Sequence, residues 1–164
     1  MAGFDIGGTW EGEFSYDPCE AVPQKAPARF SLTARAGWFG FFKGVIQDDP
    51  EREAPQPATV RGRLKGLVLT FKKQYPIFFV RHAGRTIPLR EWIESEHRLP
   101  VDQDLPGQRL LYEGEYDAAE ESVSGTWRHG PQRIRFLSNG RMGWVDFPAA
   151  SGRWKMRRQS PTFR

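Results

Sequence analysis

The sequence predicts an all-β protein: a single antiparallel up-and-down β-barrel of about eight or more strands, with one short helix in an inserted segment. Three observations carry that prediction. Short runs that alternate apolar and polar residues recur along the chain, bounded by Gly, Pro, Asn and Asp. The opening run, GGTWEGEFSY over residues 7–16, returns in kind as YEGEYD at 112–117 and as GTW at 125–127. Only one window, near residues 89–97, spaces its apolar residues as a helix does.

Taken in order, residues 7–16 turn on glycine and then alternate. Trp10, Gly12, Phe14 and Tyr16 fall on one face, Glu11, Glu13 and Ser15 on the other. Asp17-Pro18 begins a polar loop, and residues 30–34 form a second strand. The third strand, over 38–47, is apolar on both faces: Trp38, Phe42 and Ile46 against Phe39, Phe41 and Val45. Gly40 and Gly44 predict a bulge or a sharp bend within it. After a loop rich in Pro and acids, residues 58–64 and 67–73 make a hairpin about Lys65-Gly66. Leu67, Leu69 and Phe71 share one face of the return strand, and Val68, Thr70 and Lys72 the other. Lys72 and Lys73, near its end, could offer one charge to an acidic ligand, although lysines there commonly reach solvent.

Residues 76–108 read as an excursion between two sheet strands. It holds a short strand at 77–80 and then the helix, with Leu89, Trp92, Ile93 and His97 on one face, Pro88 in the first turn and Thr86 as the cap. Excursions of this length often act as lids. The sheet resumes at 109–116, turns at 117–120 and returns through 122–128. Residues 133–136 and 143–147 flank Ser138-Asn139-Gly140, a type I′ hairpin signal, and 152–158 is the last strand.

A chain of 164 residues suits one domain, 1–164, burying roughly two-thirds of its unfolded surface. No apolar run approaches the roughly 20 residues that span a bilayer, and the first residues lack the pattern of a secretory signal. With Cys19 the sole cysteine, no intrachain disulfide forms, and a reducing cytoplasm is expected. The net charge of +4 and pI near 9.5 invite a nucleic-acid reading, but basic residues are interleaved with 20 acids along the chain, so no nucleic-acid partner is expected.

Gly8 and Trp10 on the first strand, with a basic residue on the last strand, Lys155 or Arg157, resemble the calycin group of lipocalins, fatty-acid-binding proteins and avidins. The resemblance implies a barrel in which Trp10 plugs one end beneath that cation, and a small ligand inside. It does not extend to biotin, because avidin's set of short polar residues has no counterpart here. Gly8-Thr9-Trp10-Glu11-Gly12 also matches the opening motif of a haem-binding barrel family, but that family's ligating histidine lies near the C-terminus and no histidine follows His129.

His82, His97 and His129 lie in three segments without metal-ligand spacing, so neither metal nor cofactor is expected. Of the carboxylate pairs, Asp48-Asp49 falls in a loop, and Glu113 and Glu115 point to one face, read as a solvated outer face with acid/base groups inside a polar barrel as the alternative. No phosphate loop or nucleophile motif occurs. The aromatic set is the candidate binding surface: Trp10, Phe14, Phe42, Phe71, Tyr75, Tyr112, Tyr116 and Trp127 would line the interior, and Gly12 and Gly114 at mid-strand point to a partly open cavity. The expected function is therefore binding of a small, largely apolar ligand. The alternatives are a filled barrel that serves as a protein-interaction module and a cofactor-free barrel enzyme.

Overall fold

The computed structural model describes residues 3–18 and 26–160; Cys19 lies outside them. The strands are β1 (Gly8–Tyr16), β2 (Ala28–Ala36), β3 (Phe41–Asp48), β4 (Ala58–Lys65), β5 (Val68–Gln74), β6 (Phe79–His82) and β7 (Arg85–Pro88). Helix α1 (Leu89–His97) follows, and then β8 (Arg109–Asp117), β9 (Ser122–His129), β10 (Gln132–Ser138), β11 (Arg141–Phe147) and β12 (Ala150–Arg158). Eight of these strands close into an antiparallel barrel in the order β1-β12-β9-β8-β5-β4-β3-β2. Each barrel strand pairs with its barrel neighbour in the chain, and β12 returns to β1 to complete the ring.

Two segments leave the barrel. The excursion between β5 and β8 carries the β6–β7 hairpin and α1, and the β10–β11 hairpin stands between β9 and β12 as its own two-stranded sheet. The Asn139-Gly140 turn is where the sequence predicts it, but its strands do not join the barrel. Instead the two insertions pack on each other. Phe78, Leu89, Ile93, Val101 and Leu105 from the first bury against Phe136 of the second, apart from the barrel core. Asp102 ties them further, accepting hydrogen bonds from the Asn139 and Gly140 amides at 2.9 and 3.1 Å.

Two local expectations are corrected. The third strand begins at Phe41, because Trp38–Gly40 is a single 3₁₀ turn with Phe39 in the left-handed region at φ 57°. Only Phe42 and Ile46 of that aromatic run point inward. Thr86 lies in β7 and does not cap the helix: Pro88 is the N-cap residue, without a side-chain cap, and the Leu89 amide donates to the Phe78 carbonyl at 2.7 Å. His97 is exposed, with its ring edge-on to Trp92.

The barrel's ends differ. Short turns join β2 to β3, β4 to β5 and β8 to β9 at one end; the loop 49–57 and both insertions lie at the other. Trp10 plugs the short-turn end, donating from its indole nitrogen to the Ile6 carbonyl at 2.8 Å. The cation above it is Arg158, 4.6 Å from the ring centroid, and not Lys155 or Arg157. The register explains the shift. Trp10 pairs with Arg158, so residues 154, 156 and 158 face the same side as Trp10, and 155 and 157 face out. Lys155 and Arg157 meet Glu120 there, at 2.5 and 4.0 Å. A cation on an indole is worth about 0.5–2 kcal/mol. Arg158 also donates to the Asp5 carbonyl at 2.5 Å and to that of Gly7, so it ties the residues before β1 to the last strand.

Candidate functional site

Period-two alternation delivers a cluster of polar side chains to the long-loop end of the barrel. Tyr16 closes the inward row of β1, Asp48 that of β3, and Lys73 that of β5. Tyr112 faces inward from β8, and Tyr75 follows β5. The Lys73 ammonium is held by both carboxylate oxygens of Asp48, at 2.7 and 2.8 Å. Both side chains are about 1% exposed. The Tyr75 hydroxyl donates to Asp48 Oδ2. Aromatic faces enclose the ammonium: its nitrogen lies 4.8 Å from the centroid of Tyr75, 5.3 Å from Phe14 and 5.9 Å from Tyr112. Removing an ammonium from water costs several kcal/mol, and a two-oxygen pair with three rings offsets that cost only in tight geometry such as this.

A second carboxylate enters from the loop. Residues 49–53 form one turn, with the Glu53 amide donating to the Asp49 carbonyl at 2.7 Å. That turn carries Glu53 over the barrel mouth, where its Oε2 accepts from the Tyr16 hydroxyl at 3.0 Å. On the outside the Arg52 guanidinium bonds the Pro27 carbonyl at 3.0 Å, and Arg81 of β6 donates to the Arg52 carbonyl. The excursion therefore clamps the loop that covers the site.

Three phenols are held neutral. Burial raises the Tyr16 hydroxyl far above its ordinary value, and the Glu53 charge adds to this. Burial followed by the charge of Asp48 does the same at Tyr75, and burial with Asp48 and Glu53 at Tyr112. At neutral pH these groups are hydrogen-bond donors. No cluster of three or more His, Cys, Asp or Glu able to hold a metal occurs among the described residues.

The structure separates the aromatic candidates. Trp10 and Tyr116 sit at the short-turn end, where Phe4 meets the Trp10 ring edge-on at 5.7 Å and stacks on Tyr116 at 4.0 Å. Phe42 meets Phe71 edge-on, and Phe71 stacks on Tyr112 at 4.7 Å. Phe14 and Trp127 lie edge to face, beside Tyr112 and the Lys73 ammonium. Trp154, absent from the sequence-based set, packs against that stack, 5.7 Å from Phe71 and 5.8 Å from Tyr112 between ring centroids.

These rings occupy the interior. Phe14, Phe42, Phe71, Tyr112, Trp127 and Trp154 are each 4% exposed or less. The mid-strand glycines are correspondingly filled and do not open a cavity. A Cβ on Gly12 would stand 2.5 Å from the Phe30 ring, and one on Gly114 would stand 2.5 Å from Trp154. Clefts of about 520, 580 and 610 Å³ open on the outer surface of the barrel.

No known family model matches this chain, and no curated protein sequence matches it. The calycin likeness rests on the closed eight-stranded barrel and its tryptophan plug.

Tyr75 and Tyr112 belonged to the sequence-based set, whereas the inward placement of Lys73 and Asp48 was missed by residue type and not by pattern. Counting by two from Leu69 and Phe71 places Lys73 inside, and counting from Phe42 and Ile46 places Asp48 inside. Glu53, on a loop, carries no such signal.

Proposed function

We propose that the protein is a calycin-like binding barrel that takes a small, largely apolar ligand at its long-loop end, beneath the turn 49–53. The observation that supports this reading is the buried Lys73–Asp48–Tyr75 cluster. A barrel needs no buried ion pair for its stability, and an apolar filling serves as well or better. The rings of Phe14, Tyr75 and Tyr112 would face the apolar body of the ligand, and the phenols and Lys73 would meet one polar group. Because the interior is packed, space for the ligand comes from lifting Glu53 off Tyr16. Recognition without catalysis, in the cytoplasm, completes the proposal.

Native mass spectrometry of freshly purified protein tests it. The expected result is a non-covalent mass excess over the denatured chain that disappears in the double variant Lys73→Met/Asp48→Leu. Equal native and denatured masses, together with no thermal shift across a library of small aromatic and aliphatic compounds, would overturn it.

The packed interior favours a second reading, in which the barrel is a scaffold and the outer face does the binding. Trp38 and Phe39, 85% and 84% exposed, are what such a face would offer a protein partner.

A further inference from the structure

Strands β2 to β5 carry Arg35, Lys43, Arg61, Arg63, Lys65 and Lys72 on their outer face, all exposed. The single acid in those strands, Asp48, points inward to Lys73. Register aligns the cations: Arg35 pairs with Lys43, Lys43 with Arg61, and Arg61 with Lys72. The row continues through Leu111 to Arg128 on β9. Like charges set directly opposite one another destabilise a sheet. Among the described residues none of these cations forms an ion pair with a carboxylate, whereas Lys155, Arg157 and Arg133 elsewhere on the surface all do. Folding alone gives no reason for this row.

Aromatic residues adjoin it. Phe41, on the same outer face, is 54% exposed, with the Arg63 guanidinium 5.1 Å over its ring. Arg35, Phe41, Lys43, Arg61, Arg63 and Lys72 border one open cleft of about 610 Å³. Trp38 and Phe39 project from the turn just before Phe41. Phe39 holds a left-handed backbone, which disfavours a residue with a side chain, yet its ring is 84% exposed.

We propose that the outer face of β2–β5 binds single-stranded nucleic acid, with phosphates along the row Arg35–Lys43–Arg61–Lys72 and bases stacked on Phe41, Trp38 and Phe39. Neighbouring strands lie about 4.8 Å apart, so the four cations span about 14 Å, the reach of a few nucleotides. A basic groove with stacking rings is the arrangement that holds single strands without reading their sequence. A single file of cations beside a cleft suits a line of phosphates better than the flat headgroup layer of a membrane. The surface is distinct from the barrel mouth, and single-stranded nucleic acid takes the place of the protein partner that the second reading set against Trp38 and Phe39.

Fluorescence anisotropy with labelled oligo-dT and oligo-rU of about 12 nucleotides, over a series of salt concentrations, tests it. Arg61→Gln/Lys72→Gln is expected to weaken binding at least about 10-fold and to lower the salt slope by about 0.7 for each phosphate no longer neutralised. Phe41→Ala should weaken binding about 5- to 100-fold and leave the salt slope unchanged. Arg153→Gln/Arg157→Gln, on the other side of the barrel, should do neither. Thermal melting provides an independent reading, since relieving the like-charge row should hold or raise the Tm of the Arg61/Lys72 variant. Several results would overturn the proposal: no binding at low salt, equal weakening in the control variant, or tighter binding to duplex DNA or to vesicles containing phosphatidylserine than to single strands. Failure here leaves the mass-spectrometric result at the barrel mouth untouched.

Discussion

At Lys73 the two halves of a buried ion pair are unequal in consequence. Lys73→Met leaves the Asp48 carboxylate buried among rings without its cation, which should cost about 3–5 kcal/mol. Lys73→Met combined with Asp48→Leu should recover most of that loss, because an apolar pair of similar volume fits the packed surroundings. Urea denaturation of the two variants distinguishes these outcomes, and a single variant as stable as the parent would show that water reaches Asp48. The phenols make a separate prediction. Tyr16, Tyr75 and Tyr112 all titrate above their ordinary range in the folded chain. Below about pH 10 both folded and unfolded chains keep these protons, and stability does not depend on them. Above it the unfolded chain releases protons that the folded chain retains, so stability falls by up to about 1.4 kcal/mol per pH unit for each phenol. Denaturant unfolding from about pH 9 to 11 should show the decline, and a flat profile would mean the hydroxyls are not buried. The sequence already held the inward register of Lys73 and Asp48. What misled was chemistry, since a lysine near a strand end usually reaches water.

Among the elements, β8 and β12 show how a strand makes room for a large ring. Gly114 faces inward opposite Gly125, and Trp154 lies where a side chain at position 114 would begin. Gly114→Ala therefore forces the indole off its rotamer and should cost about 1–3 kcal/mol in a denaturant titration. A neutral result would mean that the space is open, as mid-strand glycine suggests when read alone. Glycine in a strand signals close approach, but it does not say whether a ligand or a neighbouring ring approaches. The plug residue was misplaced for a related reason. Residues 153–158 alternate clearly, but whether the inner row ends at 157 or at 158 depends on pairing with β1, which no local pattern contains.

For the molecule as a whole, two cores share one chain. The barrel core runs from Trp10 to Trp127, and the smaller core joins α1 to the β10–β11 hairpin through Phe136 and the contact of Phe78 with Phe147, 4.9 Å between ring centroids. Phe136→Ala should open the smaller core by about 3 kcal/mol. Hydrogen exchange should accelerate in α1, β10 and β11, and β1 to β5 should keep their protection. Equal acceleration in the barrel strands would show that the two cores unfold as one. The barrel strands were legible because each buries one face and so alternates. The departure of β10 and β11 was not, because Arg133-Ile134-Arg135-Phe136 alternates as a barrel strand does. An alternating strand declares that it has a buried face, and the partner is chosen elsewhere in the chain.

Closure of the ring also has a consequence for biosynthesis. Arg158 and the Gly7 carbonyl it binds are 151 positions apart, and β1 needs β12 along one edge. A ribosome delivers β12 after every other described strand. Until then β1 and β9 each present an unpaired edge, the condition that invites strand addition from another nascent chain. Closing so long a loop adds little entropy cost, but pairings this distant in sequence form slowly. The barrel is thus completed only after β12 emerges, and the interval until then is when a chaperone matters most.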